Sequence, residues 1–203
     1  MFMVCLDLEG IFTPEVWIGV ALKTGIDELK LTTRDISDYD KLMKKRLKIL
    51  KAHDIKLGFI QDVIKKMEIL PGALDFINWL RPKTQLIILS DTFIEFGMPF
   101  MEKLGYPTLL CHNLIVDKND IILDYELRIE NMKEKTVIAL KKMNYDVIAV
   151  GDSYNDTGML TTADYGILYN PPQKVINEFS QFPIAKDYSE LKALISKYLK
   201  SNK

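Results

Sequence analysis

The chain has 203 residues, room for one generous domain or for one domain with a small insert, against a prior of roughly 150 residues per domain. Hydrophobic residues make up 48% and charged residues 27%, so a sizeable core can form beneath a polar surface, and 27 basic against 28 acidic side chains leave a formal charge of -1. That balance, with no basic block and no apolar run near the ~18 residues of a membrane span, argues against nucleic-acid and membrane partners.

The opening run Phe2-Met3-Val4-Cys5-Leu6 is apolar on both faces and stops at Asp7, as a central parallel strand with a polar end does. Asp7 also interrupts this stretch too early for a signal peptide. Cys5 and Cys111 each lie in apolar runs, predict no disulfide framework, and suit a reducing cytoplasm. A helical period follows with no strand signal. Pro14 starts a helix carrying Trp17, Val20, Ala21 and Leu22; Tyr39, Leu42, Met43, Leu47 and Leu50 mark a second; a third runs from about Leu57 to Met67.

At Pro71-Gly72 the pattern changes. A helix with Leu74, Ile77, Trp79 and Leu80 leads into a β-rich run from Gln85 to Leu89 that ends at Ser90, and a helix follows from Phe93 to Leu104, with Met98 and Phe100 to Leu104 in the core. Leu109 to Arg128 alternates around a Lys118-Asn119-Asp120 turn, which predicts a short strand and then a hairpin. A helix from Lys133 to Met143 precedes the strand Val147 to Val150, which ends at Gly151-Asp152. A helix-like stretch, a strand from Tyr165 to Tyr169, a helix from Pro171 to Phe179 and an amphipathic helix from about Tyr188 to Leu199 complete the chain.

Strands alternating with helices predict an α/β fold, a Rossmann-like parallel sheet with helices on both faces. The expected core comprises residues 1–13 and 69–203. Residues 14–68 form a small helical cap inserted after the first strand.

In open α/β sheets, ligands bind beyond the carboxyl ends of the strands. Three predicted strands end in polar residues: Asp7 with Glu9, Ser90 with Asp91 and Thr92, and Asp152 with Asn155 and Asp156. Side by side they supply a carboxylate nucleophile, a second acid, hydroxyl and amide donors, and oxygens for a hard cation. Magnesium fits, since it takes few protein carboxylates and keeps waters or a phosphate oxygen. Asp7 suits attack on phosphorus to give an aspartyl phosphate. Ser90 begins a turn whose Asp91 and Thr92 amides face an anion at a helix N-terminus, and Lys133, opening its helix, is the best lysine for neutralising phosphoryl charge. Taken singly, an acidic pair after a strand is more often a solvated turn, and Ser-Asp-Thr before a helix is most often a cap. The three together, in this order on successive strand ends, make those plain readings improbable.

These residues resemble the haloacid dehalogenase superfamily of phosphohydrolases and phosphotransferases. Asp7-Leu8-Glu9-Gly10 resembles its first motif, Ser90-Asp91-Thr92 its second, Lys133 its third and Gly151-Asp152-Ser153-Tyr154-Asn155-Asp156 its fourth. The helical insert is similar to the small cap of the phosphoserine phosphatase branch. Glu9 departs from the aspartate usual two residues after the nucleophile. With Pro14-Glu15-Val16-Trp17-Ile18 it resembles the bifunctional members that dephosphorylate phosphoserine and can pass the phosphoryl group to homoserine.

The resemblance implies that Asp7 attacks phosphorus and that Asp7, the Glu9 backbone carbonyl and Asp152 hold Mg2+, with Asp156 behind them. Glu9 protonates the leaving serine oxygen and then deprotonates water or homoserine. Ser90 and Lys133 hold the phosphoryl oxygens, and Asn155 bonds substrate or phosphate. Glu15 takes the substrate ammonium and Arg46 its carboxylate. Without the resemblance, Arg46 reads as a solvated charge among Lys44, Lys45 and Lys48, and Glu15 as a first-turn acid. Lys135 stands as a rival to Lys133. His53 reads as a helix-end residue, His112 as a strand-end residue, Arg128 as either near the phosphate or on the surface, and Trp17 and Trp79 as packing. Another small phosphomonoester as substrate, or a receiver-like module whose Asp7 is phosphorylated only as a signal, are the alternative functions. A monomer or two-fold dimer is expected.

Overall fold

The computed structural model describes residues 1–32, 35–36 and 38–200; the last three residues of the expected core lie outside the described residues. Its sheet has seven strands: β1 (Phe2–Leu6), β2 (Gln85–Phe93), β3 (Leu109–Val116), β4 (Ile122–Glu126), β5 (Asp146–Gly151), β6 (Tyr165–Tyr169) and β7 (Ile184–Ala185). They run in the order β4-β3-β2-β1-β5-β6-β7 and pair in parallel except for β4, which returns antiparallel to β3. The helices outside the insert are α4 (Ala73–Leu80), α5 (Ile94–Lys103), α6 (Met132–Lys142), α7 (Thr157–Thr162), α8 (Gln173–Glu178) and α9 (Tyr188–Lys200).

The two-residue period of the strands sorts their side chains between two cores. Val4, Leu6, Ile88, Ile148, Val150 and Ile167 point into the larger one, against Phe76 and Ile77 of α4, Phe96 and Phe100 of α5, and Leu191 and Ile195 of α9. Cys5, Leu89, Val147, Ala149 and Leu168 point the other way, against Val137 and Leu140 of α6, Met159 and Leu160 of α7 and Val175 of α8. Each fully buried aliphatic or aromatic side chain contributes about 1.5–3 kcal/mol relative to exposure. Both cysteines are buried free thiols. Among the described residues no helix is long and apolar enough to cross a membrane.

After β1 the chain moves outward to β2, β3 and β4, then returns to pair β5 on the other side of β1, so the strand order reverses at β1. Leu6 lies opposite both Ile88 and Val150, and the Asp7 amide donates to the Val150 carbonyl at 3.0 Å. This register brings the polar residues after β1 and β5, and those near the end of β2, to one crevice at the sheet's carboxyl edge.

Between β1 and α4, the described residues of the insert form α1 (Val16–Thr24), a 3-10 turn (Asp27–Lys30), α2 (Tyr39–Ala52) and α3 (Leu57–Lys66). The Leu70 amide bonds the Phe12 carbonyl at 2.8 Å and ties the two ends of this insert together. Helix α1 ends at Gly25, whose φ of 72° is the left-handed cap that glycine adopts without strain. The Asp38 carboxylate caps α2 by accepting from the Lys41 amide, whereas α3 takes its cap from a distant turn: the Leu57 and Gly58 amides donate to the carbonyl and carboxylate of Asp120 at 3.0 and 2.7 Å. Tyr125 of β4 donates its hydroxyl to Asp40 at 2.8 Å. The β3–β4 hairpin thus props the insert over the strand ends.

Several expectations need correction. Strand β2 does not stop at Ser90; it continues through Ser90-Asp91-Thr92 to Phe93, because Phe93 pairs with His112 of β3 beyond an irregularity in register. The following helix starts only at Ile94, so Ser90-Asp91-Thr92 is neither a cap nor a helix N-terminus. The expected strand and hairpin at 109–128 are one object, since β3 pairs with β2 and is also the first arm of the hairpin. His112 lies inside β3 at 3% exposure rather than at a strand end. Met98 is 45% exposed, because the buried face of α5 runs through Phe96, Gly97, Phe100 and Met101.

Candidate active site

Lys133 is the hub of the crevice. The first turn of α6 delivers it at 3% exposure, and its ammonium lies 2.8 Å from Asp156, 3.0 Å from Asp7 and 3.4 Å from Asp91. Burial alone would favour the neutral amine, yet the carboxylates, Asp156 foremost, hold its pKa well above the usual lysine value. Its rival Lys135 points into solvent.

Asp7 follows β1 and is 5% exposed, with the Leu8 amide donating to its Oδ1 at 2.7 Å. Burial first, then the Asp156 carboxylate, raise its pKa well above the ordinary range against the pull of Lys133. Asp156 is fully buried. Its Oδ1 accepts from Lys133, and its Oδ2 accepts from the Asp152 and Ser153 amides at 2.9 and 3.1 Å. Gly151 makes this fit possible, since a Cβ there would fall 2.3 Å from the Asp156 Cβ. Gly10 plays the matching part on the other loop: its φ is +80°, and a Cβ would lie 2.5 Å from an Asp152 carboxylate oxygen. The Gly-Asp-x-x-Asn-Asp pattern therefore encodes a close backbone approach as well as ligands.

Around this hub the predicted residues converge. Ser90, 2% exposed, accepts the Thr92 amide at 3.3 Å. Asp91 receives Asn155 Nδ2 at 2.8 Å and faces His112 Nε2 at 3.7 Å. Burial works to raise Asp91, but Lys133 first, then His112 and Asn155, hold its carboxyl well below the usual range. Glu9 is half-buried, and its Oε2 accepts the Val16 amide at 3.4 Å. Burial and the adjacent Glu15 carboxyl push its pKa well up, against the pull of Arg46. Glu15 stands immediately before α1, and Arg46 enters from α2.

Arg46 is not the solvated charge that its lysine neighbours suggest. It is 7% exposed, because Leu42, Arg46 and Leu50 fall at intervals of four on the buried face of α2. Burial lowers its pKa to about 10. Asp7, Glu9, Glu15, Arg46, Ser90, Asp91, Thr92, Lys133, Asp152 and Asn155 all line one polar cavity of about 90 Å³, with Asp156 directly behind it. Sequence reasoning missed parts of its wall, among them Thr32 and Leu42. Trp17, read as packing, lines the cavity, and so does Tyr39, whose hydroxyl donates to the Asp91 carbonyl at 2.9 Å. His112 gave no motif signal; its Nδ1 accepts the Arg128 amide, and Arg128 itself is exposed and donates Nε to the Cys111 carbonyl at 3.0 Å. A wider cleft of about 760 Å³ lies beyond Asp91, Lys133 and Asn155, but Asp7, Glu9 and Arg46 face only the smaller cavity.

Carboxylate oxygens of Asp7, Asp152 and Asp156 lie within 4.8 Å of one another. The donors are all oxygens, and three aspartates lie within 3.4 Å of the single Lys133 ammonium with Asp152 beside Asp7 and Asp156, an excess of negative charge that a hard divalent cation would neutralise. Asp7, Asp152 and Asp156 are thus the carboxylates that could hold such an ion, and both Asp156 oxygens already accept N–H groups.

Residues 18–161 match the family of haloacid dehalogenase-like hydrolases. The chain is 56% identical over 192 residues to phosphoserine phosphatase ThrH of Pseudomonas aeruginosa, spanning 95% of this chain and 94% of that protein. It is 55% identical over 188 residues to a phosphoserine phosphatase of Pseudomonas syringae pv. tomato, spanning 93% and 79%. Among solved structures, a phosphoserine phosphatase in apo form matches with a TM-score of 0.78 at 22% identity, over 95% of this chain and 98% of that one. A phospho-aspartyl intermediate analogue of phosphoserine phosphatase matches with a TM-score of 0.76 at 24% identity, over 98% and 99%. At these identities the two structures speak for the fold alone.

Proposed function

The chain belongs to the haloacid dehalogenase-like hydrolase family, and from that premise we propose that it is a magnesium-dependent phosphatase and phosphotransferase of O-phospho-L-serine, with water or L-homoserine as phosphoryl acceptor. The observation that carries this reading is the buried Lys133 ammonium lying 3.0 Å from the Asp7 carboxylate, in the wall of a cavity that Glu9, Glu15 and Arg46 also line. Residues 14–68 act as the cap that selects the substrate, over a core of residues 1–13 and 69–203.

An oxygen of Asp7 attacks phosphorus, and the bond from phosphorus to the serine oxygen breaks to leave an aspartyl phosphate. Glu9, whose burial and neighbouring Glu15 carboxyl favour the protonated form, gives its proton to the departing serine oxygen. As a carboxylate it then takes the proton from water or the homoserine hydroxyl as that oxygen attacks phosphorus, and Asp7 is regenerated. Lys133, Ser90 and Asn155 hold the phosphoryl oxygens, while the Asp91 and Thr92 segment of β2 shapes the same wall. Asp7, Asp152 and the Glu9 carbonyl would hold Mg2+, which neutralises phosphoryl charge when bound, and Asp156 keeps Lys133 and the Asp152 loop in place. Glu15 accepts the substrate ammonium and Arg46 its carboxylate.

A receiver-like module has no use for three helices over the strand ends, nor for an acid beside the phosphorylated residue. Asp7→Asn should fold normally and release no phosphate from phosphoserine with Mg2+; phosphate release at the normal rate would remove Asp7 as the nucleophile.

A further inference from the structure

We propose that Trp17 determines substrate specificity: its indole face holds the Arg46 guanidinium in the orientation that receives the substrate carboxylate. The inference deepens the proposed reading of Arg46 and rests on it. The i, i+4 spacing of Leu42, Arg46 and Leu50 draws the arginine into an apolar interior, away from the water that would otherwise orient its charged end. Nη2 donates to the Leu31 carbonyl at 2.8 Å, Nη1 lies 3.6 Å from Met43 Sδ, and Cζ stands 4.5 Å from the Trp17 ring centroid. Nε is buried and has no hydrogen-bond partner. A desolvated donor without a partner is costly, and the guanidinium fork to which it belongs lines the polar cavity, where a carboxylate can accept two parallel bonds.

The indole explains why that fork is held ready. A planar cation stacked on an aromatic face can offer only its edge to a ligand, and the attraction to the ring's π-electrons strengthens as water is excluded. Trp17 is itself fixed, 7% exposed in the first turn of α1 and packed edge-on against Phe96 at 5.6 Å. It lies two residues after Glu15, the group assigned to the ammonium, and under Arg46, the group assigned to the carboxylate, and all three line the same cavity. A side chain that only packed would be replaced well by another large apolar one. A side chain that orients Arg46 would not.

The test compares phosphoserine with phosphoethanolamine, which keeps the phosphate and ammonium but lacks the carboxylate. Trp17→Leu should raise the KM for phosphoserine so that selectivity over phosphoethanolamine, as the ratio of kcat/KM values, falls roughly tenfold, and Trp17→Phe, with a weaker ring, should lower it about threefold. Thermal melts check that each variant is folded; should Trp17→Leu fail to fold, the Trp17→Phe ratio decides. Unchanged selectivity, or an equal loss on both substrates, overturns the inference. Arg46→Ala, run alongside, tells the two readings apart. If it weakens both substrates alike, the carboxylate reading fails and the role of Trp17 with it; if it is selective while the Trp17 variants are not, only the role of Trp17 fails.

Discussion

Replacing Lys133 by Met removes the one ammonium that three carboxylates share, at 2.8, 3.0 and 3.4 Å, while keeping a side chain of similar length. Removing one partner of a buried ion pair costs about 3–5 kcal/mol, because the other charge stays buried without compensation. With three carboxylates left facing one another, the loss should lie at the upper end of that range. For a chain of this size about 1 kcal/mol corresponds to roughly 2–4 °C, so the metal-free variant at pH 8 should melt roughly 10–15 °C below the parent protein. The deficit should narrow at pH 5, where the stranded carboxyls can escape by taking up protons. Far-UV circular dichroism melts in a chelator at both pH values measure this, with the exposed Lys135→Met as a control expected to change stability by no more than about 0.5 kcal/mol. A Lys133→Met melt within about 2 °C of the parent at pH 8 would refute the claim that this ammonium holds the cluster together.

The raised carboxyl pKa values of Asp7 and Glu9 carry a sign. Their contribution to stability is complete below the unfolded values of about 4 and is lost as pH rises through the folded values, so the metal-free protein should melt higher at pH 5 than at pH 8. Asp91, held low, and Lys133, held high, lose their contributions only below and above that window. Saturating Mg2+ should therefore raise the melting temperature more at pH 8 than at pH 5, and an equal rise at both would contradict the assignment of Asp7 to the metal. Tyr39→Phe deletes the hydroxyl that joins α2 to the Asp91 carbonyl, a loss of about 1 kcal/mol and roughly 3 °C. An unchanged melt in calorimetry would show that this bond does not help to hold the insert down.

Asp7, Asp152 and Asp156 were legible because each follows an apolar strand in a sheet whose register then aligns the strand ends. The choice of Lys133 over Lys135 could not be settled from sequence, since two positions on a helix start differ only in the direction that packing gives them. The span of β2 misled for a related reason. Its last residues are polar, and what keeps them extended is the pairing of Phe93 with His112, a contact between distant segments. The same limit hid β7, two residues long and set by its neighbour β6. Arg46 carried a usable signal, its place in the apolar row of α2, but three neighbouring lysines masked it. Trp17 looked like core because it is largely buried; the guanidinium over its ring is what sets the proposed platform apart from a packing residue. His112 has no motif, and its burial beside Asp91 arises from the fold of the hairpin.

The most direct test of the central claim incubates the protein with phosphoserine, Mg2+ and homoserine and measures free phosphate against phosphohomoserine over many turnovers. Transfer through Asp7 predicts sustained turnover, with phosphohomoserine rising at the expense of free phosphate as homoserine is increased, and neither product from Asp7→Asn. Free phosphate that never yields to added homoserine would contradict the transferase half of the account, and a single round of protein phosphorylation without turnover would contradict the whole.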